Sequence, residues 1–212
     1  MRVSGFASGL VASTLLAFAV LPGLLLSGSP ARAAEDAAVQ TVRGLYASFE
    51  GALKAPEAGV KGRALVIGPA LDQSMDFPAM ARVAVGAKWK GFTPEQQGAL
   101  TEAFKQYFTA TYATRLSQAA GGKFDVKPDS DARGQNRVVQ TEVANAEGDA
   151  SQIDFLVGSG NRIQDVYLNG NVSEVAAMRG SFADPLKAGG ADGLLKFLRD
   201  RTATMLAAKP KP

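Results

Sequence analysis

Enzyme chemistry most often starts from histidine or cysteine, and this 212-residue chain has neither. The usual general base, the thiol nucleophile and the two strongest soft-metal ligands are therefore missing. Any catalysis would rest on carboxylate, Lys, Tyr or Ser groups. Asp125, Asp129 and Asp131 crowd one turn, but that spacing lacks the glycine and terminal glutamate of a calcium loop, so it reads as a solvated acidic turn. Asp154 and Asp165 fall on neighbouring predicted strands. They either face each other as paired carboxylates or stand exposed or ion-paired with Arg or Lys. Gly158-Ser159-Gly160 and Gly189-Gly190 are turn glycines without a phosphate-loop context. The sequence thus offers no catalytic residue, no metal ligand set and no cofactor site. What it offers instead is apolar surface, and that surface has to be placed.

The richest part lies between Asp76 and Leu116. Thr93-Pro94-Glu95-Gln96 is a helix start: the Thr93 hydroxyl takes the Gln96 amide proton, Pro94 has no donor to lose, and Gln96 reaches back. From there Leu100, Phe104, Phe108, Tyr112 and Leu116 recur every four residues, beside Ala103, Tyr107 and Thr111, with Glu95, Gln97, Thr101, Glu102, Lys105 and Gln106 opposite. This predicts a long amphipathic helix with an aromatic inner face. Spacing alone makes that face core. Upstream, Asp76 caps a shorter helix with Phe77, Met80, Val83 and Ala84, which ends near Gly86 and meets the long helix around Trp89.

The flanks complete the pattern. Ala34 to Lys54 carries Val39, Val42, Leu45, Tyr46, Phe49 and Leu53 at helical spacing, Pro56, Gly59 and Gly62 break it, and Arg63 to Ser74 predicts a short helix interrupted at Gly68-Pro69. After Gly121-Gly122 the period changes to two. Residues 123–127, 137–143, 151–157 and 162–168 predict four strands, and the short Gly- and Asn-bearing turns between them predict an antiparallel meander. Ser173 then caps a helix with Val175, Met178 and Phe182, and Pro185 to Gly190 leads to a last helix with Leu194, Leu198 and Met205. The fold class is α+β: a four-stranded antiparallel sheet covered by N- and C-terminal helices.

Residues 1–33 read as a secretory signal peptide. Arg2 precedes an apolar run from Phe6 to Leu26, and Ala31 and Ala33 form a small-residue cleavage site after Ala33. The alternative is an uncleaved anchor, since the run approaches the length of a membrane span. Residues 34–208 make one domain, and 209–212 a frayed tail. The net charge of +3 is small, and no basic stripe argues for nucleic acid.

Several of these residues carry a resemblance. Asp76-Phe77 with Met80-Ala81-Arg82, Val85-Gly86 with Trp89, Thr93-Pro94-Glu95-Gln96, then Phe104, Tyr107 and Tyr112, resemble the MlaC family of periplasmic lipid carriers. The series continues through Asp154-Phe155, Asp165, Gly170, Val172-Ser173, Arg179, Phe182, Leu186 and Asp192-Gly193-Leu194. The resemblance implies a curved sheet wrapped on helices, with an apolar cavity between them that holds acyl chains. It implies that Phe77, Met80, Val83, Trp89, Phe104, Phe108, Tyr112, Ile153, Phe155, Val166, Leu168, Val172 and Met178 line the cavity. Arg82 and Arg179 match basic positions and stand either at its mouth beside a headgroup or in surface ion pairs.

The implied function is transport without covalent chemistry. Two acyl chains with roughly thirty methylenes, at about 0.8 kcal/mol each, make desorption into water cost on the order of 20 kcal/mol. A soluble carrier, expected to be a monomer, lowers that cost. The resemblance implies docking with an inner-membrane ABC transporter complex bearing an MCE-domain ring and with an outer-membrane lipoprotein complex. Residues 160–163 lack the tryptophan usual in the family, and Asn169-Gly170-Asn171-Val172-Ser173 is a longer turn than expected. Those departures look more like the hopanoid-associated branch, HpnM, so the cargo is a phospholipid or a hopanoid. The rival readings are an enzyme with an Asp base in an apolar pocket, and a non-binding envelope adaptor.

Overall fold

The computed structural model describes residues 36–208. The expected signal peptide and C-terminal tail lie outside the described residues. Helix α1 (Ala37–Leu53) starts where Asp36 accepts a hydrogen bond from the Ala38 N–H, and it buries Val39, Val42, Leu45, Tyr46 and Phe49 on one stripe. A short 3-10 turn at Pro56–Ala58 leads into α2 (Gly59–Ser74).

Here the structure differs from the expectation of a break at Gly68-Pro69. Helix α2 runs through both residues, because Val60, Arg63, Ile67, Leu71 and Ser74 hold one buried stripe across them. Pro69 points to solvent, where its missing donor costs least. The buried Arg63 guanidinium donates to the Ala113 carbonyl at 2.7 Å and ties α2 to the long helix.

Helix α3 (Phe77–Val85) is capped by Asp76, which accepts from the Ala79 N–H at 3.1 Å. A 3-10 segment at Gly86–Gly91 carries the buried Trp89 into α4 (Pro94–Arg115). Both halves of the Thr93–Gln96 capping box are formed, at 3.3 and 3.1 Å. Gln97 Nε2 donates to the carbonyls of Trp89 and Phe92 and fixes the junction.

The sheet has more strands than expected. Its order is β1-β3-β4-β5-β6 with β2 also on β3, all antiparallel: β1 (Lys123–Val126), β2 (Asp131–Arg133), β3 (Asn136–Ala144), β4 (Ala150–Val157), β5 (Ile163–Leu168) and β6 (Val172–Ser173). Strands β1 and β2 pair with opposite ends of β3, so they are two halves of one edge strand broken at residues 127–130. The acidic turn is therefore partly strand: Asp131 accepts from Gln140 Nε2 at 2.8 Å. Gly122 is needed before β1, since a Cβ there would sit 1.8 Å from the Ala144 carbonyl oxygen.

The helices cover the face that bears Val139, Thr141, Ile153, Phe155, Val157, Ile163 and Val166. Arg162 reaches from the start of β5 to the Asp72 and Met75 carbonyls and caps the end of α2. Helix α5 (Glu174–Leu206) begins at Ser173, whose hydroxyl accepts from the Ala176 N–H. The expected gap between two last helices narrows to a kink at Gly189 and Gly190, the latter at φ 57°. Pro185 sits inside the first half.

Candidate functional site

The aromatic stripe of α4 meets two different surroundings. Toward its N-terminal end, Phe104 and Phe108 pack edge-on against Phe77 of α3 at 6.3 and 5.8 Å, and Phe104 packs against Phe182 of α5 at 6.3 Å. Toward its C-terminal end the stripe faces α1 and the sheet. There a cavity of about 330 Å³ opens, near the lower end of small-ligand pockets.

Its walls come from α1, the C-terminal end of α4, the start of α5 and four strands of the sheet. Tyr46 and Phe49 of α1, Tyr112 and Leu116 at the end of α4, Phe124 of β1, and Val143, Ile153 and Leu168 of the sheet supply the apolar lining. Alternation places the last three on one face of β3, β4 and β5. Tyr112 stacks on Phe108 at 4.4 Å and touches Phe49 at 6.0 Å, so it forms the partition between core and cavity.

The buried polar side chains of the lining are paired. Thr141 Oγ1 donates to the Ile153 carbonyl, so Tyr46 donates to Thr141 Oγ1, at 2.7 Å. Burial pushes the Tyr46 phenol far up. Tyr112 donates to Glu174 Oε2 at 2.6 Å, and the Arg115 guanidinium donates to Glu174 Oε1. Burial first, then the charge of Glu174, raises the Tyr112 phenol well above its ordinary range. Both tyrosines therefore stay neutral hydrogen-bond donors at any physiological pH. Glu174 is 4% exposed while Arg115 is 53% exposed, so the carboxylate is the inner and the guanidinium the outer member of the pair. Asn145, Asp149, Ser151 and Gln118 complete the rim.

Of the residues expected to line a cavity, Tyr112, Ile153 and Leu168 do so. Phe77, Met80, Phe104, Phe108, Trp89, Phe155, Val166 and Met178 lie in the buried core, and Val83 is half-buried against it. Val172 is 50% exposed on β6, where it pairs across the strands with the lining residue Leu168 but is not itself part of the lining. Arg82 and Arg179 are both exposed, and neither reaches the rim: Arg179 Nε donates to the Val83 carbonyl at 2.7 Å and joins α5 to α3.

Asp154 and Asp165 are not paired carboxylates, nor are they exposed. Asp154 pairs across the sheet with Tyr167 and Asp165 with Leu156, on the face away from the helices. Asp165 accepts from the Ser173 hydroxyl at 2.6 Å and from the Val166 and Val175 N–H groups, which anchors the start of α5. Asp154 accepts from Gln152 Nε2 on one oxygen, and its other oxygen is buried without a partner. Neither lines the cavity.

Sequence reasoning missed Tyr46, Phe49, Phe124, Val143, Arg115 and Glu174 as site residues. The α1 pair carried a signal, two aromatics on one helical stripe. Arg115 carried another, a cation one turn beyond Tyr112 on an inner face. Glu174 followed a cap and gave no hint of a partner 59 positions away.

An α+β sheet with helices on one face and an aromatic cavity at one end can be set beside known proteins. The model of the MlaC protein family matches residues 48–200. The chain belongs to the MlaC family. A solved structure from Ralstonia solanacearum, described as a phospholipid-binding protein in complex with a phospholipid, is similar to it. That structure has a TM-score of 0.66 and 26% sequence identity, covering 81% of this chain and 98% of its own. No curated protein matches significantly. MlaC family proteins are periplasmic, and no described helix is long and apolar enough to cross a membrane. Family and neighbour point to lipid binding by a binding or transport protein rather than an enzyme. The lining here is mostly apolar, with Arg115, Asp149 and Glu174 as its charged members.

Proposed function

We propose that the protein is a periplasmic lipid carrier. The observation that carries this reading is the cavity at the C-terminal end of α4, apolar on its walls and bounded by an Arg115–Glu174 pair at its mouth. Apolar walls replace membrane contacts for an acyl chain, and a charged rim leaves the headgroup in water. In this reading the chain is exported by a signal peptide removed after Ala33. It works as a monomer and exchanges lipid with an inner-membrane MCE-domain ABC transporter complex and an outer-membrane lipoprotein complex.

The neighbour's ligand favours phospholipid as cargo. The second reading is a hopanoid, favoured by the long Asn169-Gly170-Asn171 turn, with Asn169 at φ 51°, and by the absence of tryptophan in residues 160–163. The residues expected to contact lipid from the buried core, Phe104 and Phe108 among them, would do so only if α4 parted from α3 and α5.

Native mass spectrometry of protein purified from its own periplasm, followed by organic extraction, tests the reading. A phospholipid or hopanoid mass is expected, and Leu168→Trp, which fills the cavity, should reduce the loaded fraction at least tenfold with the fold intact. A clean apo mass for the natural protein under gentle conditions would overturn it.

A further inference from the structure

The cavity limits what enters it. A chain methylene is about the size of a water molecule, roughly 30 Å³, so about 330 Å³ takes on the order of ten methylenes. That is most of one acyl chain. A second chain would need space now filled by Phe108, which stacks on Tyr112 at 4.4 Å, and by Phe124, whose ring lies 5.0 Å from Tyr46.

The rim limits the head. Glu174 is nearly fully buried, and its two oxygens are taken by Tyr112 and Arg115. It has little to offer a ligand. Arg115 spends one amino group on Glu174, is half-exposed at the rim, and has further N–H groups in its fork to donate. Asp149, the other charge on the rim, is exposed and hydrogen-bonded to Asn145, so water screens it.

We propose that the cavity is a site for a single-chain lipid with an anionic head, a carboxylate or a phosphate, held by Arg115. The proposal rests on the lipid-carrier reading. One chain fits the apolar space, and the guanidinium fork matches the planar or tetrahedral oxygens of the head. A two-chain lipid binds only after the aromatic partition opens, and pays that cost in affinity.

Titration of delipidated full-length mature protein, followed by native mass spectrometry, tests this with four probes: a sixteen-carbon fatty acid, a monoacyl phosphatidylglycerol, an uncharged monoacylglycerol and a diacyl phosphatidylglycerol. One molecule of the fatty acid or of the monoacyl phospholipid per protein is expected, each bound more tightly than the diacyl lipid. Which of the two binds more tightly identifies the head as carboxylate or phosphate. Arg115→Ala should weaken both about tenfold and leave the monoacylglycerol unchanged. Because that change strands Glu174 without its counter-charge, the double variant Arg115→Ala with Glu174→Gln should show the same selective loss in a chain with no buried unpaired charge. Tighter binding of the diacyl lipid would overturn the single-chain proposal while leaving the carrier reading standing. Equal weakening of charged and uncharged probes would overturn the role of Arg115. Retention of none of the four would overturn both.

Discussion

The two ends of α4 carry the same aromatic spacing and do different things. Phe104 packs on α3 and α5 and Phe108 on α3, and both are among the largest fully buried residues. Tyr112 and Leu116, one and two turns on, face a helix on one side and the broken edge strand and sheet on the other. At this end helix and sheet do not close on each other, and the space between them remains as a cavity. The stripe is thus a plug at one end and a wall at the other.

Truncation should separate the ends most sharply. Phe108 is 0% exposed, so Phe108→Ala should cost about 3–5 kcal/mol, the range for a large buried aromatic. Phe124 is half-buried beside an existing void, and Phe124→Ala should cost less than half as much, roughly 1–2 kcal/mol. Urea unfolding with a shared m-value checks both. Equal losses would mean that the cavity collapses around its walls and the two ends are one core.

Much of this architecture is readable from local sequence. The capping box at Thr93, the cap at Asp76 and the inner face of α4 follow from residues within four positions of one another, and the structure forms them. Helix α2 is less legible because tertiary packing overrides Pro69. Strands β2 and β6 are too short for a period of two to show. The site is least legible of all. Spacing placed Phe104 and Tyr112 on one stripe but held no information about what lies opposite each. Arg115 with Glu174, and Tyr46 with Thr141, are contacts across 59 and 95 positions. Spacing alone placed Phe104 and Tyr112 in the core and the resemblance placed them on a cavity, and core and cavity wall share one composition.

A smaller effect should fall on stability alone. Thr93 accepts from the Gln96 N–H at the plugged end of α4, far from the rim. Thr93→Ala should lower stability by about 1 kcal/mol and leave the retained lipid unchanged in native mass spectra. Loss of lipid in step with stability would show that the plug and the wall move together.

An effect of similar size should have the opposite sign. Asp154 is 5% exposed on the face of the sheet away from the cavity, one carboxylate oxygen is buried without a partner, and burial holds its pKa above the ordinary carboxylate range. A carboxyl whose folded pKa is raised binds its proton more tightly folded than unfolded. Its ionisation therefore opposes folding once pH exceeds the unfolded value, and the penalty is complete above the folded value. Asp154→Asn removes the charge and keeps the shape, so it should stabilise the protein by roughly 1 kcal/mol at neutral pH. The gain should shrink as pH falls through the folded pKa and vanish below the unfolded one, while lipid retention stays constant. Asp36 runs the other way. The Ser130 hydroxyl above all, with the Ala38 N–H and Arg137, holds its carboxyl below the ordinary range against a smaller opposing effect of burial, so its contribution is lost on acidification. Chemical denaturation of Asp154→Asn and the natural protein at several pH values separates the two groups, since the Asp36 contribution is common to both and cancels in the difference. A pH-independent gain would mean that Asp154 is destabilising through packing rather than charge. A gain that came with lipid loss would mean that the outer face of the sheet and the cavity wall are coupled through β4, and the division of the molecule into plug and wall would need redrawing.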